Sequence, residues 1–400
     1  MGKNNWFHKI QYELVIFAFL VIQLLVTIPM PHEMNSWTVT SYFMSYEDFG
    51  FGSRMLIGSV FKLLFPFLSV KALYTAILVT LLCLMLFTAV VLGSAIRRSG
   101  DAMKAVIILA AVYLASPASI AHLFGWRNYG RFDIYLIIIA VSCLYLVNTK
   151  ADFLIPVLVL IGMAIHQVFL FSYMSVIVYA LLYNLYEKKG SRRSAVIAAV
   201  TAFAAIAAFA YFQFFTPPIG HNDPAAVSRM LQKNTTMAVS ENMIFFEYFA
   251  GMNDHIHYLV LSDLGRRIIK LVMVLIMMLP VSILLNRILH SAGKLAEDGK
   301  LRLLLHAATD LPVLMLLPAF VLTTDWGRWL TTIYTFQIAI IMYLAYKKCA
   351  PVMESLNRVV QFFEKNSYLI LALIAYLSML GKFEDDNILD LTNKLIELLC

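Results

Sequence analysis

The sequence predicts an all-α, polytopic integral membrane protein of about eleven transmembrane helices, forming a single membrane domain over residues 1–400. Three observations predict it. Of the 400 residues, 61% are hydrophobic and only 14% are charged, against roughly 25% charged in soluble domains. Apolar runs of about 20 residues, the length a helix needs to cross hydrocarbon, recur along the chain. No repeat, low-complexity tract or soluble domain interrupts them. This composition excludes a soluble enzyme, a fibrous protein and a disordered chain.

The expected spans are 14–30, 72–95, 105–121, 133–148, 153–165, 167–186, 194–215, 268–285, 303–322, 329–346 and 367–381. The first follows Lys3 and Lys9, as a signal peptide would. It is long, lacks a small-x-small cleavage site and ends at Pro31, so it reads as an uncleaved span. Met55–Phe67 is apolar but short and contains Lys62, which suits a re-entrant or interfacial helix. Residues 153–186 carry no charge, are too long for one helix and too short for two full spans. They read as a hairpin turning near His166.

Basic clusters set the orientation. Arg97, Arg98 and Lys104, then Lys188, Lys189, Arg192 and Arg193, then Lys347 and Lys348 read as cytoplasmic connectors, with the N-terminus inside. The same bias accounts for much of the net charge of +7, and no basic, aromatic-interleaved face suits nucleic acid. Cys83, Cys143, Cys349 and Cys400 have no metal-ligand spacing. The chain contains no P-loop, no G-x-G-x-x-G and no G-x-S-x-G elbow. No cofactor or metal is expected, although dependence on a divalent ion is left open.

In this topology the unusual sequences share the outer face. Between the first two spans lies Tyr46-Glu47-Asp48-Phe49-Gly50-Phe51-Gly52-Ser53-Arg54. Asp48 or Glu47 can supply a general base there, and Arg54 a phosphate ligand. The loop also suits an interfacial anchor whose carboxylate merely pairs with Arg54. In Gly125-Trp126-Arg127-Asn128-Tyr129-Gly130-Arg131-Phe132-Asp133, Arg127 and Arg131 are spaced to clamp a diphosphate, and Asp133 opens the next helix. Thr323-Thr324-Asp325-Trp326-Gly327-Arg328-Trp329 repeats the same ingredients, with Asp325 placed to orient Arg328 or bind an acceptor hydroxyl. Aromatic-belt anchoring with local ion pairs is the competing reading of both. Arginines kept outside, against the bias that orients the protein, favour function.

His166, at the hairpin turn, reads equally as a phosphate donor or acid–base group and as a residue already in the headgroup layer. The outer segment 216–267 contains an expected amphipathic helix over Ala225–Tyr248, a plausible acceptor-binding lid. His255 and His257 stand two apart, a strand-like rather than helical metal spacing. Asp310 lies inside a span, and the tail 383–400 has an amphipathic pattern expected to pack at the interface.

Glu47-Asp48-Phe-Gly-Phe-Gly-Ser-Arg54, Gly130-Arg131-Phe132-Asp133, the His166 hairpin and Asp325-Trp326-Gly327-Arg328-Trp329 together resemble the multi-spanning proteins of bacterial surface-polysaccharide clusters. The plan is similar to the GT-C class of membrane glycosyltransferases, and more loosely to O-antigen polymerases. The likeness covers span number and loop layout; the first outer loop is compact for the class, and no large C-terminal outer domain follows. It implies a GT-C-like helix arrangement in the bacterial cytoplasmic (inner) membrane. It also implies a polyprenyl-phosphate-linked sugar donor, a glycan acceptor and an essential acid in the first outer loop. That acid falls most naturally on Asp48 or Glu47, with Glu33 a weaker match. The expected activity is sugar transfer or polymerisation for the cell envelope. The alternatives are a transporter or flippase of lipid-linked or anionic substrates, and acyl or phosphoryl modification with His166 as base.

Overall fold

A computed structural model describes residues 6–65, 67–215, 223–261 and 264–383. The start of the expected outer segment (216–222) and nearly all of the tail (384–400) lie outside the described residues. Among the described residues the chain is mostly helical, without strands. A lone bridge joins Leu68 to Thr235.

The helices that matter for the site are α1 (Trp6–Thr27), α2 (Met55–Leu64), α3 (Val70–Arg98), α4 (Met103–Ala115), α5 (Asp133–Leu146), α6 (Ile155–Ile165) and α7 (Met174–Glu187). They continue as α8 (Arg192–Ala210), α9 (Pro224–Gln232), α10 (Met252–Leu261), α11 (Leu264–Met277), α12 (Leu279–Leu295), α13 (Gly299–Leu322), α14 (Trp326–Tyr346), α15 (Ala350–Lys365) and α16 (Ser367–Met379).

The protein is an all-α, multi-pass membrane protein. Ile10–Thr27, Val70–Arg98, Gly100–Leu123, Arg192–Phe215, Gly299–Val321 and Trp326–Tyr346 are long and apolar enough to cross a bilayer. Counting α11 and α12 as one span makes seven; they bend by 58° at their junction. Pro280, in the first turn of α12, has no N–H to continue the preceding helix, which places the bend there. Met55–Leu64, Asp133–Leu146, Asp152–Ile165 and Ser367–Met379 are apolar but shorter. The 14 residues of α5 rise about 21 Å, less than the roughly 30 Å of a hydrocarbon core.

Burial separates the core from the lipid face. The Trp326–Tyr346 span is 83% buried inside the protein, whereas Ile10–Thr27 and Arg192–Phe215 are each 22% buried. Helix α14 and the Gly100–Leu123 span, 78% buried, therefore lie inside the bundle. Val15, Ile22, Val26, Phe203 and Ile206 point away from it and stay exposed, as lipid-facing side chains do. α1 packs on α3, α8 on α6, and α12 on α13 and α15.

Two local features hold the connections in place. Gly58 on α2 lies so close to the 41–44 turn that a Cβ there would stand 1.9 Å from the Met44 carbonyl oxygen. The segment 223–261 differs from the single amphipathic helix expected over Ala225–Tyr248. Helix α9 stops at Gln232, whose side chain donates to the carbonyls of Thr235 (3.0 Å) and Met237 (2.7 Å) and accepts from Val239 N–H (3.2 Å). Those bonds give the backbone an alternative to helix. A π-helical turn, Phe245–Phe249, then precedes α10.

Candidate functional site

The connections expected to share a face converge on one cavity of about 390 Å³. Arg54, Arg127, Arg131, Asp133, His166, Asp325 and Arg328 all line it. Asn35, Trp37 and Thr38 come from the first connection, and Phe246, Glu247, His255 and Tyr258 from the segment 223–261.

Arg54 is set by backbone geometry. It precedes α2 in the left-handed region at φ 67°, which costs a non-glycine residue about 1–2 kcal/mol. One guanidinium nitrogen, Nη1, pairs with Glu247 Oε1 at 2.6 Å. The other, Nη2, donates to His166 Nε2. Neighbouring Ser53 ties the same segments, its carbonyl accepting from Tyr248 OH (3.3 Å) and its hydroxyl from Gln167 N–H (3.2 Å).

His166 ends α6 in an extended conformation and is buried. Burial, and then the guanidiniums of Arg54, Arg328 and Arg131, hold its imidazole well below the ordinary range. A guanidinium only donates, so Nε2 accepts from Arg54 and the ring proton falls on Nδ1, where the Val168 N–H also lies at 3.2 Å. His166 is thus a neutral acceptor that fixes Arg54.

The second cluster joins the other two arginine-bearing connections. Asp325 Oδ2 accepts from Arg131 Nη1 at 3.1 Å and from Arg328 Nη2 at 2.6 Å. Arg328 Nη1 reaches Asp133 Oδ2 at 3.1 Å, and the other oxygen of Asp133 accepts from Tyr173 OH. Burial raises the Asp325 pKa, but Arg131 and Arg328 outweigh it and hold the carboxyl at about 2. Asn128 Oδ1 accepts from Arg131 Nε at 2.6 Å, and Arg328 stacks over Trp329 at 4.2 Å. Gly130, at φ 92°, permits the turn that brings Arg131 inward. Thr38 Oγ1 donates to the Arg127 carbonyl at 2.7 Å, tying this loop to the first connection.

Four arginines against three carboxylates leave the lining with a formal excess of positive charge before its histidines are counted. Such a surface suits an anion with several oxygens, because guanidinium forks bind phosphate bidentately. Among the described residues, no three or more His, Cys, Asp or Glu side chains are grouped to hold a metal ion.

Asp48 and Glu47, expected to supply the base, do not line the cavity. Asp48 Oδ1 pairs with Lys62 Nζ at 2.7 Å, and its Oδ2 accepts from Ser45 Oγ at 2.6 Å. Glu47 reaches the same lysine at 3.2 Å. Asp48 ties the Tyr46–Phe49 turn to α2, with both carboxylate oxygens engaged. Glu33 and Asp310 also lie off the lining. His255 and His257 sit on helix α10 rather than a strand; His255 faces the cavity and His257 is exposed.

Sequence reasoning missed Glu247. Its signal was a lone acid between Phe245-Phe246 and Tyr248-Phe249, in a segment otherwise read as a membrane-lying helix. No family model matches the chain, and neither a curated protein nor a solved structure matches it.

Proposed function

We propose that the protein is a membrane glycosyltransferase, or a polymerase of polysaccharide units. It takes sugar from a polyprenyl-phosphate-linked donor at the extracytoplasmic face for cell-envelope glycan synthesis. The observation that carries this reading is the meeting of four arginines from three connections in one cavity. In the topology we propose, the shorter apolar helices complete about eleven crossings in a GT-C-like arrangement in the bacterial inner membrane, with the N-terminus cytoplasmic.

In the reaction, the acceptor hydroxyl oxygen attacks the anomeric carbon of the donor sugar. The hydroxyl proton passes to a carboxylate. The carbon–oxygen bond to the phosphate breaks, and polyprenyl phosphate leaves with the electron pair. Arg131 and Arg328, oriented by Asp325, stabilise the charge that develops on the phosphate. The carboxylate best suited to take the proton is Glu247. Asp325 and Asp133 are each held by buried guanidinium contacts, and Asp48 is held by Lys62 and Ser45. Glu247 has Oε1 on the single guanidinium of Arg54, whereas Asp325 holds two.

A transfer assay with protein in nanodiscs, a lipid-linked sugar donor and a glycan acceptor tests this. Loss of a general base costs on the order of 10²–10⁴ in rate. Glu247→Gln should show that loss, while Asp48→Asn stays within several-fold of wild type. The reverse pattern returns the base role to Asp48.

Transport of an anionic or lipid-linked substrate is the second reading. It is favoured by the 58° break between α11 and α12, because broken spans mark many transporters. Movement of a labelled lipid across reconstituted vesicles, without sugar transfer, would decide for it.

A further inference from the structure

We infer that Trp37, Phe246 and Tyr258, with Asn35 and His255 beside them, form a subsite for a saccharide ring. This inference rests on the proposed function and names the group that the arginines alone do not explain. All five residues line the same cavity as the arginines. The Phe246 ring centroid lies 5.8 Å from Trp37, 4.9 Å from Tyr258 and 5.8 Å from His255. The interplanar angles are 39°, 56° and 51°, so the rings spread as a tilted wall rather than stack on one another. Tyr258 remains 46% exposed. Membrane-belt aromatics face lipid headgroups. These line a charged cavity instead, where a phosphate has no use for them.

A sugar needs that combination. Its faces present C–H bonds, which are electropositive and settle on the negative face of an aromatic ring. Its rim presents hydroxyls, which need amide and imidazole partners. Asn35 Oδ1 accepts from Trp37 N–H at 3.0 Å, which orients the asparagine side chain beside the ring. Phe246 and Glu247 are consecutive on the π-helical turn, so the aromatic wall and the carboxylate are placed together. A cavity of about 390 Å³ lies near the lower end of small-molecule sites, roughly 300–1,000 Å³. It suits a phosphosugar headgroup rather than an extended glycan.

Calorimetry on the full-length protein in nanodiscs tests the inference. The probes are a short-chain prenyl diphosphate, bare or carrying one glucose, galactose or N-acetylglucosamine. At least one glycosylated probe should bind more tightly than the bare one. Trp37→Leu and Phe246→Leu should each reduce that gain by roughly three- to tenfold, the range of an aromatic contact, and leave the bare probe unchanged. Arg131→Ala should weaken every probe. The inference is overturned if no sugar adds affinity, or if the leucine variants weaken bare and glycosylated probes alike. Failure of the bare probe to bind wild type overturns the proposed function as well. Thermal unfolding accompanies each variant, and either leucine variant alone suffices if the other does not fold.

Discussion

At the residue scale, the cavity is organised by charges that hold one another. His166 accepts from Arg54 and faces Arg131 and Arg328, with Asp325, Asp133 and Glu247 also on the lining. Its folded pKa lies well below the roughly 6.5 of an unfolded histidine, so the unfolded chain binds the extra proton first. Its contribution to stability is complete above about pH 6.5 and falls by up to about 1.4 kcal/mol per unit as the pH drops below that. We expect the melting temperature of detergent-purified protein to decline between pH 7 and 5, and His166→Gln to flatten the decline. An unchanged slope would mean that His166 is not held neutral by its neighbours. Arg328 is nearly fully buried between Asp133 and Asp325. Arg328→Ala leaves buried Asp133 without its guanidinium and Asp325 with Arg131 alone, and should destabilise the fold by about 3–5 kcal/mol, read as a loss of melting temperature. That Arg131, Arg328 and Asp325 come together was legible in the sequence, because their two loops carried the same unusual ingredients on one expected face. That Asp48 lies off the cavity was not legible, for a physical reason. Its adjacency to Glu47 and Arg54 says nothing about Lys62, which lies one helix onward and captures it.

At the element scale, the site depends on how short helices sit against turns. Helix α2 meets the 41–44 turn at Gly58, and Arg54 stands at its N-terminus. Gly58→Ala forces the two apart, because the atoms it would meet are backbone. We expect a destabilisation of about 1–3 kcal/mol, typical of overpacking, and weaker binding of a prenyl diphosphate as Arg54 shifts. Wild-type stability and affinity in this variant would show that α2 does not position Arg54. The long apolar helices were readable from composition and length. The break after Gln232 was not, because it depends on side-chain bonds to the residues that follow. Glu247 went unseen for the same reason: the π-helical turn at Phe245–Phe249 redirects a residue that an unbroken amphipathic helix would leave in the membrane plane.

At the scale of the whole molecule, α14 and the Gly100–Leu123 span are buried among more exposed helices, and the connections gather over a cavity with an excess of arginines. The proposed orientation puts that cavity outside the cell. Trp126 is 48% exposed beside Arg127, and Lys189 lies in a basic connector. In intact cells, Trp126→Cys should react with a membrane-impermeant maleimide and Lys189→Cys should not; the opposite pattern inverts the topology. The central claim, that this cavity acts on lipid-linked sugars, is tested most directly by mass spectrometry of lipid-linked and surface glycans. The comparison is a deletion strain complemented with wild type or with Arg131→Ala. We expect the deletion and the Arg131→Ala strain to lack the same sugar or chain length, and wild type to restore it. Glycans unchanged in the deletion strain would contradict the account.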